Sequence, residues 1–158
     1  MRFQKCNSSG LMQVQVKTFD ELSTSELYQI MRLRSAVFVV EQDCVYQDLD
    51  NKDHKAIHVM GKDDGQLVAY TRMFAPGDYF ENTSIGRVVV APDQRKFGYG
   101  KLIMQASLSA AKERYTHPTI EISAQTYLTK FYTELGFKAI GEEYLEDGIP
   151  HVRMLQTS

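Results

Sequence analysis

Arg95, Gly98, Gly100 and Lys101 stand at a spacing that can seat a phosphate. They lie in Val88-Val89-Val90-Ala91-Pro92-Asp93-Gln94-Arg95-Lys96-Phe97-Gly98-Tyr99-Gly100-Lys101, which reads as a β-branched strand, a proline-marked turn and the start of an amphipathic helix. The first turn of a helix carries backbone N–H groups without internal partners and the positive end of the macrodipole, so an anion placed there collects several hydrogen bonds at once. Glycines let the backbone curl around such a ligand, if need be at positive φ, and Arg95, Lys96 and Lys101 add cationic side chains. The whole stretch Arg95, Lys96, Phe97, Gly98, Tyr99, Gly100 and Lys101 is therefore the expected anion-binding loop.

Two familiar phosphate loops fail on spacing. A Walker A loop requires glycine where Arg95 stands and Ser or Thr where Leu102 stands, and the dinucleotide fingerprint requires a third small residue where Ile103 stands. Further along, Ile120 to Gln125 reads as a strand, Thr126 as a cap, and Tyr127 to Leu135 as a short helix stopped by Gly136. Arg-x-x-Gly-x-Gly after a strand, followed at a distance by Phe131-Tyr132-Thr133-Glu134-Leu135-Gly136-Phe137, resembles the two ordered motifs of the GNAT N-acetyltransferase superfamily. Val37-Phe38-Val39-Val40-Glu41-Gln42, Cys44, Tyr46, Asp48, Asp50 and Asp147-Gly148-Ile149-Pro150-His151 are similar to the ElaA-like branch, and the resemblance covers roughly residues 13–155.

The resemblance implies acetyl-CoA as cosubstrate, with its pyrophosphate on Arg95–Lys101, and direct attack of a bound primary amine of a small molecule or peptide on the thioester, without a covalent enzyme intermediate. Catalysis then rests on positioning and on stabilising an oxyanion. Val88, Val89 and Val90 would pair through their backbone with the pantetheine arm, Gln125 would hydrogen-bond it, and Tyr132 would approach the sulfur as acid. A tyrosine near pKa 10 lies close enough to a thiol near 8.5 for proton transfer to a departing thiolate; packing between Phe131 and Phe137 is the alternative for the same ring. A coenzyme-binding module without turnover and a signalling-lactone synthase are the alternative functions.

The acceptor must arrive neutral. For a lysine-like amine with pKa about 10.4, neutrality at pH 7 costs roughly 4.6 kcal/mol, so a base or a water path is needed. Glu41 and His58 are the leading candidates, with Glu121 and His151 behind them. Glu41, Asp43, Asp48, Asp50 and Asp53 concentrate negative charge that either attracts a cationic amine or forms a solvated loop. No metal is expected. Asp48 to Asp53 departs from an EF-hand at Lys52, and Cys44, His54 and His58 lack zinc-ligand spacing.

The elements that must hold these residues can be read from periodicity. Val14 and Val16 alternate with polar neighbours as a first strand; Ser23 and Glu26 form a capping box for a helix continuing through Phe38; Ile57 to Lys62 and Leu67 to Phe74 form a hairpin across Asp63-Asp64-Gly65. Ile85 to Val90 is a strand, Tyr99 to about Arg114 a helix, and Phe137 to Tyr144 with His151 to Leu155 a closing antiparallel pair. The fold class is α/β (α+β), a mixed central sheet with helices on both faces; the family likeness makes that sheet largely antiparallel. Residues 12–156 form one domain after a polar tail, 1–11. The 158 residues carry a formal net charge of −2, which gives no general attraction to nucleic acid or to an acidic membrane. Cys6 and Cys44 make no disulfide framework, and no secretory signal or membrane-length apolar run is present. A cytoplasmic monomer or homodimer is expected.

Overall fold

The computed structural model describes residues 12–116 and 118–157. The expected tail over 1–11, and Cys6 within it, lie outside the described residues.

Seven strands form one sheet in the order β1-β2-β3-β4-β5-β7-β6. They are β1 (Gln13–Thr18), β2 (Ile57–Asp63), β3 (Gln66–Phe74), β4 (Thr83–Val90), β5 (Thr119–Gln125), β6 (Lys138–Glu146) and β7 (Ile149–Thr157). Only β4 and β5 run parallel; every other neighbouring pair is antiparallel. The crossover between that parallel pair contains α2 (Tyr99–Arg114), as a parallel connection requires.

Strand alternation assigns the two faces. Thr71 hydrogen-bonds Ser107 of α2 at 2.6 Å, and Met73 packs in a cluster with Met104, Leu108, Ile120 and Ile122. The intervening Tyr70 packs instead with Ile30, Leu33 and Val37. So α2 and α3 (Thr129–Glu134) cover one face, while α1 (Thr24–Arg34) covers the other. Ser23 caps α1: its Oγ accepts from Glu26 N at 3.0 Å, and Glu26 Oε1 accepts from Ser23 N at 2.9 Å. Glu26 also takes Lys17 of β1 and Lys62 of β2, which fastens the helix start to the sheet.

The regular spacing expected through Phe38 does not persist as α-helix. From Ser35 to Glu41 the chain widens into a π-helical stretch. Val37 to Val40 place three β-branched residues in one turn, where crowding against the preceding turn disfavours tight winding. The wide turn carries Val37, Phe38 and Glu41 into the wall of the central cavity.

Candidate active site

The site begins with a split in the sheet. β4 and β5 pair only at Thr83↔Ile120 and Ser84↔Glu121, after which they diverge. One β4 edge from Ile85 onward therefore faces an open wedge with backbone donors and acceptors that no strand takes up. A bulge adds to the divergence: between the pairs Tyr70↔Val89 and Arg72↔Gly86, β4 carries one residue more than β3. Arg87 lies in this bulge at φ 49°, an uncommon backbone for a side chain of its size.

The wedge widens into a cavity of about 690 Å³, within the usual range for small-molecule sites. Val88, Val89, Val90, Arg95, Gly98, Gly100, Lys101 and Gln125 line it, as does Tyr132 from α3. The loop after β4 winds as a 3₁₀ turn, Pro92–Phe97, and Gly98 caps α2 at φ 71°, where glycine carries no Cβ penalty. At Gly100 the requirement differs. A Cβ there would meet Phe131 and Val90 at 3.7 Å, an ordinary contact, so the fold tolerates it and only a longer side chain would intrude on the cavity.

Three residues of the expected phosphate loop do not present side chains to this cavity. Tyr99 is buried and donates to Asp63 Oδ2 at 2.9 Å, which fixes the start of α2 to the end of β2 and leaves only its backbone for a ligand. Lys96 and Phe97 sit outside the cavity wall, the ammonium lying 5.2 Å from the ring centroid.

Tyr132 lies against Phe131 and Phe137 in edge-to-face contacts, at 5.0 and 6.0 Å between centroids. Burial raises its phenol pKa, with the nearby Tyr127 adding to the effect. Its pKa thus moves away from that of a thiol. The hydroxyl therefore stays protonated and is a weaker acid than a free tyrosine.

The proposed bases fare differently. His58 is fully buried and does not line the cavity; its Nε2–H donates to the Asp53 carbonyl at 2.9 Å and its Nδ1 accepts from Tyr70 at 2.7 Å. Both ring nitrogens are used, and burial lowers its pKa, so it is a neutral structural imidazole rather than a base for the cavity. Glu121 is taken by Arg153 and Asn82. Glu41 does line the cavity, but both its oxygens bind Arg95, at 2.5 and 2.9 Å. That hydrogen bonding lowers the Glu41 pKa and makes it a poor proton acceptor. Its position suggests competition with any phosphate for Arg95. If the coenzyme that the family resemblance implies binds here, Glu41→Gln should tighten its binding a few-fold in a calorimetric titration; a collapse of turnover with unchanged affinity would restore Glu41 as base.

Within the acidic segment Asp43 is exposed, but Asp48, Asp50 and Asp53 are held in ion pairs and are not free to attract an amine. Asp48 accepts from Arg34 Nε at 3.1 Å and Arg87 Nε at 2.8 Å, Asp50 takes Arg72 in two bonds of 2.8 Å, and Asp53 accepts from Arg34 at 2.6 Å and Arg72 at 3.1 Å. Arg34 and Arg72 are each 1% exposed. The carboxylates thus neutralise buried guanidinium groups and clamp the segment over β3 and β4.

A coenzyme-sized wedge, a glycine-capped helix start and a tyrosine at one cavity are matched by relationship. Residues 14–157 match the model of the acetyltransferase (GNAT) domain. The chain belongs to this family. This GNAT protein is 44% identical over 140 residues to a UPF0039 protein of Schizosaccharomyces pombe, covering 87% of this chain and 92% of the relative. It is 40% identical over 136 residues to protein ElaA of Escherichia coli, covering 85% and 89%. The ElaA crystal structure superposes with a TM-score of 0.86, over 92% of this chain and 99% of ElaA, which supports the ElaA-like branch. An acyl-CoA N-acyltransferase from Pseudomonas aeruginosa is 38% identical in sequence with a TM-score of 0.87, over 93% of this chain and all of that one. Membership makes this GNAT protein an acyltransferase. Among its described residues no helix is long and apolar enough to cross a membrane.

Proposed function

We propose that this protein is an acetyl-CoA-dependent N-acetyltransferase of the cytoplasm that moves the acetyl group directly onto a primary amine of a small molecule or peptide. The observation that carries the reading is the open β4 edge running from Val88 to Val90 into the Gly98 helix start, with Tyr132 on the same cavity. An extended pantetheine arm would add to that edge as a strand does, through main-chain hydrogen bonds. Its pyrophosphate would then reach the free N–H groups at the start of α2, with Arg95 and Lys101 alongside. One N–H of the Val88–Val90 run would face the thioester oxygen and stabilise the oxyanion as nitrogen attacks. Tyr132 would donate to the sulfur as the carbon–sulfur bond breaks.

Thermal unfolding tests the seat. A ligand that binds only the native state, at about 100 times its dissociation constant, adds about 2.7 kcal/mol. Saturating acetyl-CoA should raise the melting temperature of the wild type, and Gly100→Leu should abolish that rise while melting like wild type without coenzyme. Thiol release with a panel of primary amines then separates an enzyme from a binding module. Absence of any melting shift would remove the assignment.

A further inference from the structure

The β6–β7 hairpin gives the cavity a second polar wall. Gln125 of β5 and Tyr144 of β6 both pair in register with His151 of β7, so the three project from one face of the sheet, joined by Ser123 two residues before Gln125 and Glu146 two residues after Tyr144. Ile122 and Ala124 point to the opposite face, where they pack in one cluster with Tyr132. The His151 wall and the Tyr132 wall therefore meet at the split from opposite sides.

The contacts of His151 define an unusual demand. Nδ1 lies 2.7 Å from the Ile149 carbonyl, which can only accept, so Nδ1 carries a hydrogen. In the neutral ring Nε2 then presents a lone pair, and 3.2 Å away stands Glu146 Oε2. Two acceptors at that separation need a proton between them. The imidazolium form supplies one; so does a cation with several N–H donors placed beside both. The surroundings fix the geometry. The Tyr144 ring stacks on the imidazole, with centroids 6.2 Å apart and planes 21° apart, and Ser123 Oγ bridges the Tyr144 hydroxyl at 2.5 Å and Glu146 Oε2 at 3.5 Å. The His151 side chain is 8% exposed and that of Glu146 46%, so the pair connects the cavity with solvent.

We propose that Glu146 and His151 seat the ammonium group of the acceptor and that His151 Nε2 takes its proton. The inference rests on the acetyltransferase reading and names its acceptor as a cationic primary amine, held by the hairpin rather than by the Asp48–Asp53 segment. The protons balance. The first passes from the ammonium to Nε2 and leaves through Glu146 to solvent. The neutral nitrogen forms its bond to the thioester carbon, the carbon–sulfur bond breaks, and the thiolate receives the Tyr132 proton. The second nitrogen proton is lost to solvent as the amide forms, and solvent restores the phenol. Other titratable or charged groups near His151 are Tyr144, Asp147 in the turn and, across the cavity, Cys44, Tyr46 and Arg87, the last already matched by Asp48.

His151→Asn separates a base from a structural contact, because the asparagine amide can still donate to the Ile149 carbonyl but has no basic nitrogen. With acetyl-CoA and phenethylamine, putrescine and a lysine-containing peptide as probes, single-turnover rates near neutral pH should fall about 10²- to 10⁴-fold, the range of general base catalysis, and the acidic limb of the pH profile should move up to follow the amine's own pKa. Glu146→Gln should raise the KM for the amine several-fold more than it lowers kcat. Both variants should keep the melting shift with acetyl-CoA. If His151→Asn melts below the assay temperature, the KM of Glu146→Gln decides. Wild-type rates and pH limb in His151→Asn, or an unchanged KM in Glu146→Gln, overturn the seat while leaving the acetyltransferase reading intact. A wild type that releases no thiol with any of these amines overturns that reading and the seat with it.

Discussion

Tyr132→Phe should slow single-turnover acetyl transfer by about 10- to 1,000-fold, at or somewhat below the usual contribution of a general acid, and should leave coenzyme binding unchanged. The ring is held by Phe131 and Phe137, and among the described residues its hydroxyl has no hydrogen-bond partner. Removing the oxygen therefore costs little packing and orphans no partner, so stability should change by well under about 1 kcal/mol. Single turnover is the fair measurement, because steady-state turnover understates the loss wherever product release is slow. The raised phenol pKa adds a second expectation. A group that remains protonated across the working range contributes no basic limb, so the pH profile of Tyr132→Phe should keep the wild-type shape at lower height. Equal rates in the two proteins would assign Tyr132 to packing alone.

Arg72→Met should be the most destabilising of the substitutions considered, by about 3–5 kcal/mol, the cost of removing one partner from a buried ion pair. Arg72 is 1% exposed, and Asp50 and Asp53 both lean on it. For a protein of this size each kcal/mol lowers the melting temperature by about 2–4 °C, so a drop on the order of 10 °C is expected by calorimetry. The same network sets the acid response. Burial works against ionised Asp50, but the Arg72 guanidinium overrides it and lowers the carboxyl pKa to about 2. A carboxylate with a depressed pKa contributes stability that is present above its unfolded value, about 3.9, and is lost as pH falls through its folded value. Stability should accordingly fall between about pH 5 and pH 2, more steeply in wild type than in Asp50→Asn. A drop below about 1 kcal/mol in Arg72→Met would show that the clamp is dispensable.

Local signals were the legible ones. The run from Val88 to Lys101 shows its strand, turn and helix start within fourteen residues, and Ser23 with Glu26 announces the first helix, because these features are written in neighbouring side chains. The hairpin across Asp63-Asp64-Gly65 is legible for the same reason. What escaped depends on register and distant partners. The acidic residues after Cys44 read as free charge because Arg34, Arg72 and Arg87 lie on α1, β3 and β4, and nothing in their spacing says they converge. His58 reads as a possible base, yet its place opposite Arg72 in the β2–β3 ladder turns the imidazole into the buried layer beside Tyr70. Tyr99 reads as part of the phosphate loop, but its position on α2 sends the phenol to Asp63. The pairing of Glu146 with His151 could have been suspected from the Asp147-Gly148 turn, which brings residues on either side into register.

Strand order also governs how such a chain comes into being. β7 follows β6 in the chain but lies between β5 and β6 in the sheet, so it must thread into a slot whose two sides are already synthesised. Until residues 149–157 emerge from the ribosome, β5 lacks one neighbour, β6 has none, and the cavity lacks His151. A nascent chain stopped at Gly148 would thus carry six of the seven strands and no closed cavity. Shortening it by those last nine sheet residues removes the middle of a wall rather than a fringe.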